Sequence, residues 1–259
     1  MKEFTEISSK ENPVIKLCRA LNDSSKKRRK EGLFVLEGLR ICEDAYQNGV
    51  EIKALFVTES AFLKHKNIIS RFSEKSEKCY MLSEDLFEKI SDTLTPQGII
   101  MIGVMPKNSV FSDKTGKFIA LENLQDPSNL GAVSRTAEAL GVSGIIISSN
   151  GCDPYSPKAL RASMGTLLRM PLFITDEIIG FCKEKGLRTI ACVVDSNAES
   201  ISDFSFSSGD VLLIGNEGNG LSDETKKNAD HRITIRMSGK AESLNAAAAA
   251  AIAVWEMCK

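Results

Sequence analysis

Three segments in the C-terminal half of this 259-residue chain carry the residue types that hold and act on a polar ligand. One, HRITIRMSGKAESLNAAAAAAIAVW from His231 to Trp255, runs from a β-prone strand through a polar loop into an alanine-rich helix. The loop offers backbone N–H and C=O groups with the side chains of Ser238, Lys240, Glu242, Ser243 and Asn245. It lies beside a helix N-terminus whose unpaired donors suit a polar ligand. Plainer readings stand beside this one: Ser243 as the helix N-cap, Lys240 and Glu242 as solvated charges. In LLIGNEGNGLSDE, an apolar strand breaks into a loop with Gly215, Gly218 and Gly220 around Glu217. Glycine at that density lets the backbone turn sharply and approach a ligand. In LENLQDPSNLGAVSRTAEALG, Asn129 and Arg135 stand about a turn and a half apart at a helix start, where both can face a ligand at its N-terminus. Taken alone, that pair reads as a cap and a surface cation.

Each segment falls where a strand hands over to a helix, the place where open α/β sheets bind ligands. The strands of this half are expected at Phe118 to Glu122, Gly144 to Ser148, Leu172 to Thr175, Thr189 to Val194, Val211 to Gly215 and Arg232 to Ile235. Helices are expected from Asn129 to Leu140, Asp176 to Lys185 and Leu244 to Met257, the first two closed by Gly141 and Gly186. Apolar strands flanked by amphipathic helices predict a mostly parallel sheet covered on both faces. The run Ala246 to Ala251 has almost no side chain, so another helix or a second chain can approach it closely. Trp255 and Met257, at helical spacing from Ile252, read as a packing stripe.

The N-terminal half alternates too. Strands are expected at 34–38, 54–58, 79–82 and 98–105, with a helix from Leu39 to Gln47 stopped by Asn48-Gly49 and a Ser83-capped helix through Ile90. Residues 107–116 are polar and turn-rich and read as a linker between a domain of residues 1–106 and one of residues 117–259.

Formal net charge is −1, yet Lys26, Lys27, Arg28, Arg29 and Lys30 form a basic run with few acids near it. Such a patch suits nucleic-acid phosphates, with a solvated charge run as the alternative. The seven cysteines are scattered and never in C-x-x-C spacing, which predicts reduced thiols rather than disulfides or zinc. With only His65 and His231 as histidines, no metal is expected. The N-terminus lacks the apolar core of a signal peptide and no apolar run reaches the roughly 20 residues of a membrane span, so a cytoplasmic protein is expected.

Taken together and in order, the three segments resemble the SpoU (TrmH) family of RNA ribose 2'-O-methyltransferases, members of the SPOUT superfamily with a trefoil-knotted fold. The similarity covers essentially all of residues 117–259, most closely at DPSNLGAVSRTAEALG, IGNEGNGLS and I-x-MSGKAESLNAAAAAAI. More loosely, residues 12–38 and TPQGI at 95–99 are similar to the small α/β RNA-binding domain, related to ribosomal RNA-binding proteins, that often precedes the catalytic one. The resemblance implies that Asn129, Arg135, Glu217, Ser243 and Asn245 take the catalytic and substrate-contacting positions. It implies that Gly215, Ile235 and Leu244 hold S-adenosylmethionine, largely through backbone atoms, and that two chains pair as a homodimer. One departure stands out: the family usually has proline where this chain has Arg236.

The reaction so implied moves a methyl group from a sulfonium to a ribose hydroxyl, where alignment matters most. A guanidinium offers donors and is physically strained as a base, so Arg135 is expected to stabilise the alkoxide or grip the adjacent phosphate. Asn129, Ser243 and Asn245 would orient ribose and cofactor, and Glu217 would fix a loop rather than act as the base. Ribosomal RNA is the expected substrate, with transfer RNA, or an inactive RNA-binding or ribosome-assembly protein, as alternatives. A nucleotide-dependent oxidoreductase fits poorly, because the glycine loop is G-x-x-G-x-G rather than G-x-G-x-x-G.

Overall fold

The computed structural model describes residues 2–106, 109–112 and 114–259, and the chain forms two compact units, Met1–Lys107 with Tyr155–Arg169, and Asn108–Pro154 with Met170–Lys259. In chain order the first unit comprises β1 (Thr5–Ile7), α1 (Pro13–Asp23), α2 (Ser25–Glu31), β2 (Leu33–Glu37), α3 (Leu39–Gln47), β3 (Ile52–Thr58), α4 (Glu59–Lys64), α5 (Lys66–Lys75), β4 (Ser76–Leu82), α6 (Glu84–Glu88) and β5 (Ile99–Val104). Its five strands pair in the order β1-β4-β3-β5-β2. β5 runs antiparallel to both β2 and β3, so this sheet is mixed. Helix α1 starts where Asn12 accepts from Val14 N–H and Pro13 presets the first turn. Its Ile15, Cys18 and Leu21, at three-residue spacing, are fully buried on the sheet.

The second unit builds a sheet from β6 (Phe118–Leu121), β7 (Gly144–Ser148), β8 (Leu172–Thr175), β9 (Arg188–Cys192), β10 (Glu199–Ser200), β11 (Asp210–Ile214) and β12 (His231–Thr234). The order is β10-β12-β9-β11-β6-β7-β8, and every pairing in it is parallel. The apolar runs FIAL, GIIIS and DVLLI of β6, β7 and β11 are buried along their whole length, as strands covered on both faces must be. The covering helices are α7 (Pro127–Ala139), α10 (Ile178–Lys185), α11 (Asp223–Asn228) and α12 (Ala246–Cys258); α8 (Pro157–Ser163) and α9 (Thr166–Arg169) pack with the first unit instead.

Several sequence expectations change here. Residues 117–259 were expected as one domain; by compactness the segment 155–169 groups with the first unit, where Tyr155 packs on Phe34 with ring centroids 5.2 Å apart. Of the expected linker 107–116, Lys107, Asn108 and Asp113 lie outside the described residues. Ser109 and Phe111 of that segment dock on the second unit: Ser109 Oγ accepts from Leu172 N–H at 3.1 Å and Phe111 packs against Phe118, Phe173 and Phe181. The alanine helix buries Ala246, Ala250, Ala253, Val254 and Met257, but Ile252 and Trp255 are 41% and 59% exposed. Met257 therefore packs as expected and Trp255 does not. All seven cysteines are free, and no helix among the described residues is long and apolar enough to cross a membrane.

Candidate active site

Because the second sheet is parallel, β6, β9, β11 and β12 all end at one edge, and the strand order turns around between β6 and β11. The loops that leave the strand ends at such an edge are where open α/β sheets bind their ligands. A cleft of about 1070 Å³ lies at that edge. It is lined by Val193 to Asp195 after β9, Gly215 to Leu221 after β11, and Ile235, Met237 and Glu242 to Leu244 after β12. Four expected residues, Gly215, Ile235, Ser243 and Leu244, thus meet in one cavity with Glu217. Arg236 is exposed and absent from the lining, so the residue that departs from the family pattern points away from the wall formed by its neighbours Ile235 and Met237.

The glycine loop owes its shape to itself. Asn216 and Gly220 exchange both backbone hydrogen bonds, at 3.0 and 2.9 Å, closing a tight turn in which Gly220 has φ +68°. A Cβ on Gly215 would lie 2.1 Å from Gly220 C and Leu221 N, both backbone atoms. Only glycine fits there, because of the loop's own return path.

Glu217 is exposed, yet it clasps the neighbouring loop. Its Oε2 accepts from Gln125 N–H at 3.0 Å, and its Oε1 accepts from Asp126 N–H at 3.0 Å and Asn129 Nδ2 at 2.9 Å. Partial burial raises its pKa, but these donors outweigh that effect and hold the carboxyl below its ordinary value. A carboxylate engaged in this way is a poor proton acceptor at neutral pH. Asn129, 8% exposed in the first turn of α7, passes the network on, accepting from Asn245 Nδ2 at 3.2 Å. Asn245 Oδ1 in turn accepts from Ala247 and Ala248 N–H at 2.9 and 3.3 Å. These contacts fix which way both amides face and leave each with a further N–H to offer.

The caps differ from expectation. Asp126, not Asn129, caps α7, and Asn245, not Ser243, caps α12, which leaves the Ser243 hydroxyl on the cleft wall. Arg135 is exposed midway along α7 and does not line the cleft. Six residues at about 100° each place it roughly 120° around the helix from Asn129, so the two do not face one ligand within a single chain as the spacing suggested. The structure therefore gathers Asn129, Glu217, Asn245, Gly215, Ile235, Ser243 and Leu244, and leaves Arg135 apart. Sequence reading passed over Val193 to Asp195 and Met237; the strand end at Cys192, in register with those of β11 and β12, was the available signal.

The basic run becomes α2, capped by Ser24 Oγ on Lys27 N–H and closed by Gly32 at φ 66°. Arg28 is buried, 4% exposed, and its Nη1 donates to the carbonyls of Leu21 and Asn22. It staples α1 to α2 and cannot anchor a phosphate as expected. Lys27 pairs with Glu31 at 2.8 Å, while Lys26, Arg29 and Lys30 are exposed.

A model of the SpoU rRNA methylase family matches residues 116–255, and a model of an MRM3-like substrate binding domain matches residues 12–101. The 23S rRNA (guanosine(2553)-2'-O)-methyltransferase of Bacillus subtilis is 29% identical, the match covering 97% of this chain and 98% of the relative. The 23S rRNA (uridine(2479)-2'-O)-methyltransferase of Streptomyces viridochromogenes is 28% identical over 92% of this chain and 86% of its own. Among solved structures, an AdoMet-bound rRNA methyltransferase from Sinorhizobium meliloti is similar with a TM-score of 0.86 and 29% identity, covering 98% of this chain and 97% of that one.

Proposed function

Because the chain belongs to the SpoU rRNA methylase family, we propose that it transfers a methyl group from S-adenosylmethionine to a ribose 2'-hydroxyl of ribosomal RNA. The observation that carries this reading is the convergence of three loops on one cleft, with the Glu217–Asn129–Asn245 network beside it. The lining suits the cofactor. Backbone groups of a tight glycine loop face the cleft, and Asp195 and Glu242 add negative charge for a sulfonium cation. Gly215, Ile235 and Leu244 would hold it, and when bound it supplies an electrophilic methyl group.

The chain's own residues then have distinct tasks. Asn129, Asn245 and Ser243 orient the ribose and cofactor with their remaining donors. Arg135, with a guanidinium that offers only donors, stabilises the developing alkoxide or holds the adjacent phosphate from the RNA side. The path through the C-terminal loops is the trefoil knot of the family. Relatives of similar identity are named for different nucleotides, so transfer of radiolabel from S-adenosylmethionine onto ribosomal and transfer RNA is the test. Label on ribosomal RNA is expected. Label on transfer RNA alone overturns the substrate, and a folded chain that binds neither the cofactor nor its demethylated product at millimolar concentration overturns the activity.

The first unit supplies RNA affinity in this reading, through Lys26, Arg29 and Lys30. Replacing these three with alanine is expected to weaken RNA binding and flatten its salt dependence by roughly 0.7 in log–log slope per lost contact to single-stranded phosphate. Cofactor affinity should not move. An unchanged slope would reduce the run to solvated charge.

Two copies of the chain complete the reading. Ala248, Ile252 and Trp255, at i, i+4 and i+7 on α12, form an exposed apolar stripe opposite its buried face. A second copy related by a two-fold axis covers it. Ala248→Glu is expected to yield a monomer by light scattering; a wild-type chain that is monomeric and fully active would refute the pairing.

A further inference from the structure

Glu217 is not the sole tie between the loop after β6 and the loop after β11. Asn123, which follows β6, has φ 52°, a left-handed conformation that asparagine tolerates better than most residues other than glycine. β7 holds it there: Asn123 N–H donates to Ser148 Oγ at 2.6 Å, and the same hydroxyl donates to Asn123 Oδ1 at 3.3 Å. In that conformation the Asn123 carbonyl accepts from Asn216 Nδ2 at 2.8 Å and from Gln125 Nε2 at 3.0 Å. The other end of the Asn216 amide works inside its own loop, where Oδ1 accepts from Gly218 N–H at 2.8 Å and Asn219 N–H at 3.1 Å. One half of the side chain shapes the cleft-lining loop. The other half fastens it to the loop that leads into Asn129.

We propose that Asn216 is a positioning residue of the methyl-transfer site, setting the loop that lines the cofactor cleft against the loop that carries Asn129. The inference rests on the methyltransferase reading above. Alignment of hydroxyl, methyl carbon and sulfur tolerates little error, and a displacement of about 1 Å can cost on the order of a hundredfold in rate. Glu217 reaches the backbone of 125 and 126 as well as Asn129. Asn216 fixes the root of the same loop at 123, next to Glu122, whose carboxylate accepts from Ser222 and Thr225 beyond the glycine loop.

The two halves of the amide separate by substitution. Asn216→Asp keeps the acceptor for Gly218 and Asn219 but loses the donor, setting a carboxylate oxygen against the Asn123 carbonyl. Asn216→Ala loses both. The Asp variant is expected to bind S-adenosylhomocysteine within about threefold of wild type while single-turnover methylation at saturating RNA and cofactor falls roughly tenfold, a smaller cost than full misplacement. The Ala variant should lose affinity and rate together. Amide hydrogen exchange across residues 124–126, measured on the full chain with no substrate, is expected to quicken in the Asp variant. Wild-type rate and wild-type exchange in Asn216→Asp would overturn the proposal, as would an equal loss of affinity in both variants. A wild-type chain that binds no S-adenosylhomocysteine would overturn the methyltransferase reading instead, and the exchange measurement still decides whether Asn216 couples the loops.

Discussion

Gly215→Ala is expected to cut methylation by on the order of a hundredfold, the scale at which displacing a positioned group by about 1 Å is felt in rate, and to weaken binding of S-adenosylmethionine with it. The added Cβ would meet Gly220 C and Leu221 N at 2.1 Å, contacts that no rotamer change relieves because both partners are backbone. To make room, the return strand of the loop must move, and the paired hydrogen bonds between Asn216 and Gly220 go with it. The cleft wall from Gly215 to Leu221 then loses its shape although none of its side chains has been altered. Gly218→Ala is the matched control. Its Cβ would sit 3.5 Å from Asn216 Oδ1, an ordinary contact, so affinity should stay near wild type. Calorimetric titration of both variants, with circular dichroism to verify that each is folded, separates the cases. Equal affinities would mean that the cofactor does not depend on this loop and would remove the main support for the cleft as its site.

The contrast between these two glycines also marks what the sequence could and could not reveal. Glycine density announces a loop that bends, but it does not say which glycine is obligatory, because that depends on a return path closed by backbone atoms five residues away. The same division runs through the fold. The apolar runs of β7 and β8 and the helix stopped at Asn48-Gly49 were legible because a buried strand or an amphipathic helix imposes its period on the sequence. β1 and β10, with three and two residues, carry no period to read. Nor does any local signal say that β5 slots antiparallel between β2 and β3, or that 155–169 leaves the second unit.

At the site, residue types were legible and their partners were not. Glu217 could be suspected of fixing a loop, and the structure supplies the three donors that make it do so. Ser243 read as the cap of the last helix, and the backbone gives that place to Asn245 two residues on. The basic run shows the limit of counting charge. Arg28 stands between half-buried Lys27 and exposed Arg29 in sequence, yet helical spacing turns it inward to two carbonyls at the end of α1. A guanidinium there satisfies buried acceptors with several donors at once, a role that composition alone cannot distinguish from phosphate binding.

Arg135 poses the same question where the expected effect on chemistry is largest. It lies outside its own chain's cleft, exposed on α7, so removing it should leave the cofactor site intact. If it meets the ribose oxygen or the adjacent phosphate only when RNA is bound, Arg135→Ala should cut single-turnover methylation by about a hundredfold or more, the scale of losing one preorganised donor to developing charge. Affinity for S-adenosylmethionine should be nearly unchanged. Arg135→Lys should rescue little, since an ammonium keeps the charge but lacks the planar fork that holds a phosphate and a hydroxyl together. The assay must run at saturating RNA, because a cation on an exposed helix face can contribute to docking as readily as to chemistry, and saturation removes any docking defect from the measured rate. An alanine variant that methylates at close to the wild-type rate under those conditions would make Arg135 a docking cation. The developing charge would then have to be met by the free donors of Asn129, Asn245 and Ser243, because Glu217, held ionised by three donors of its own, has no proton to give.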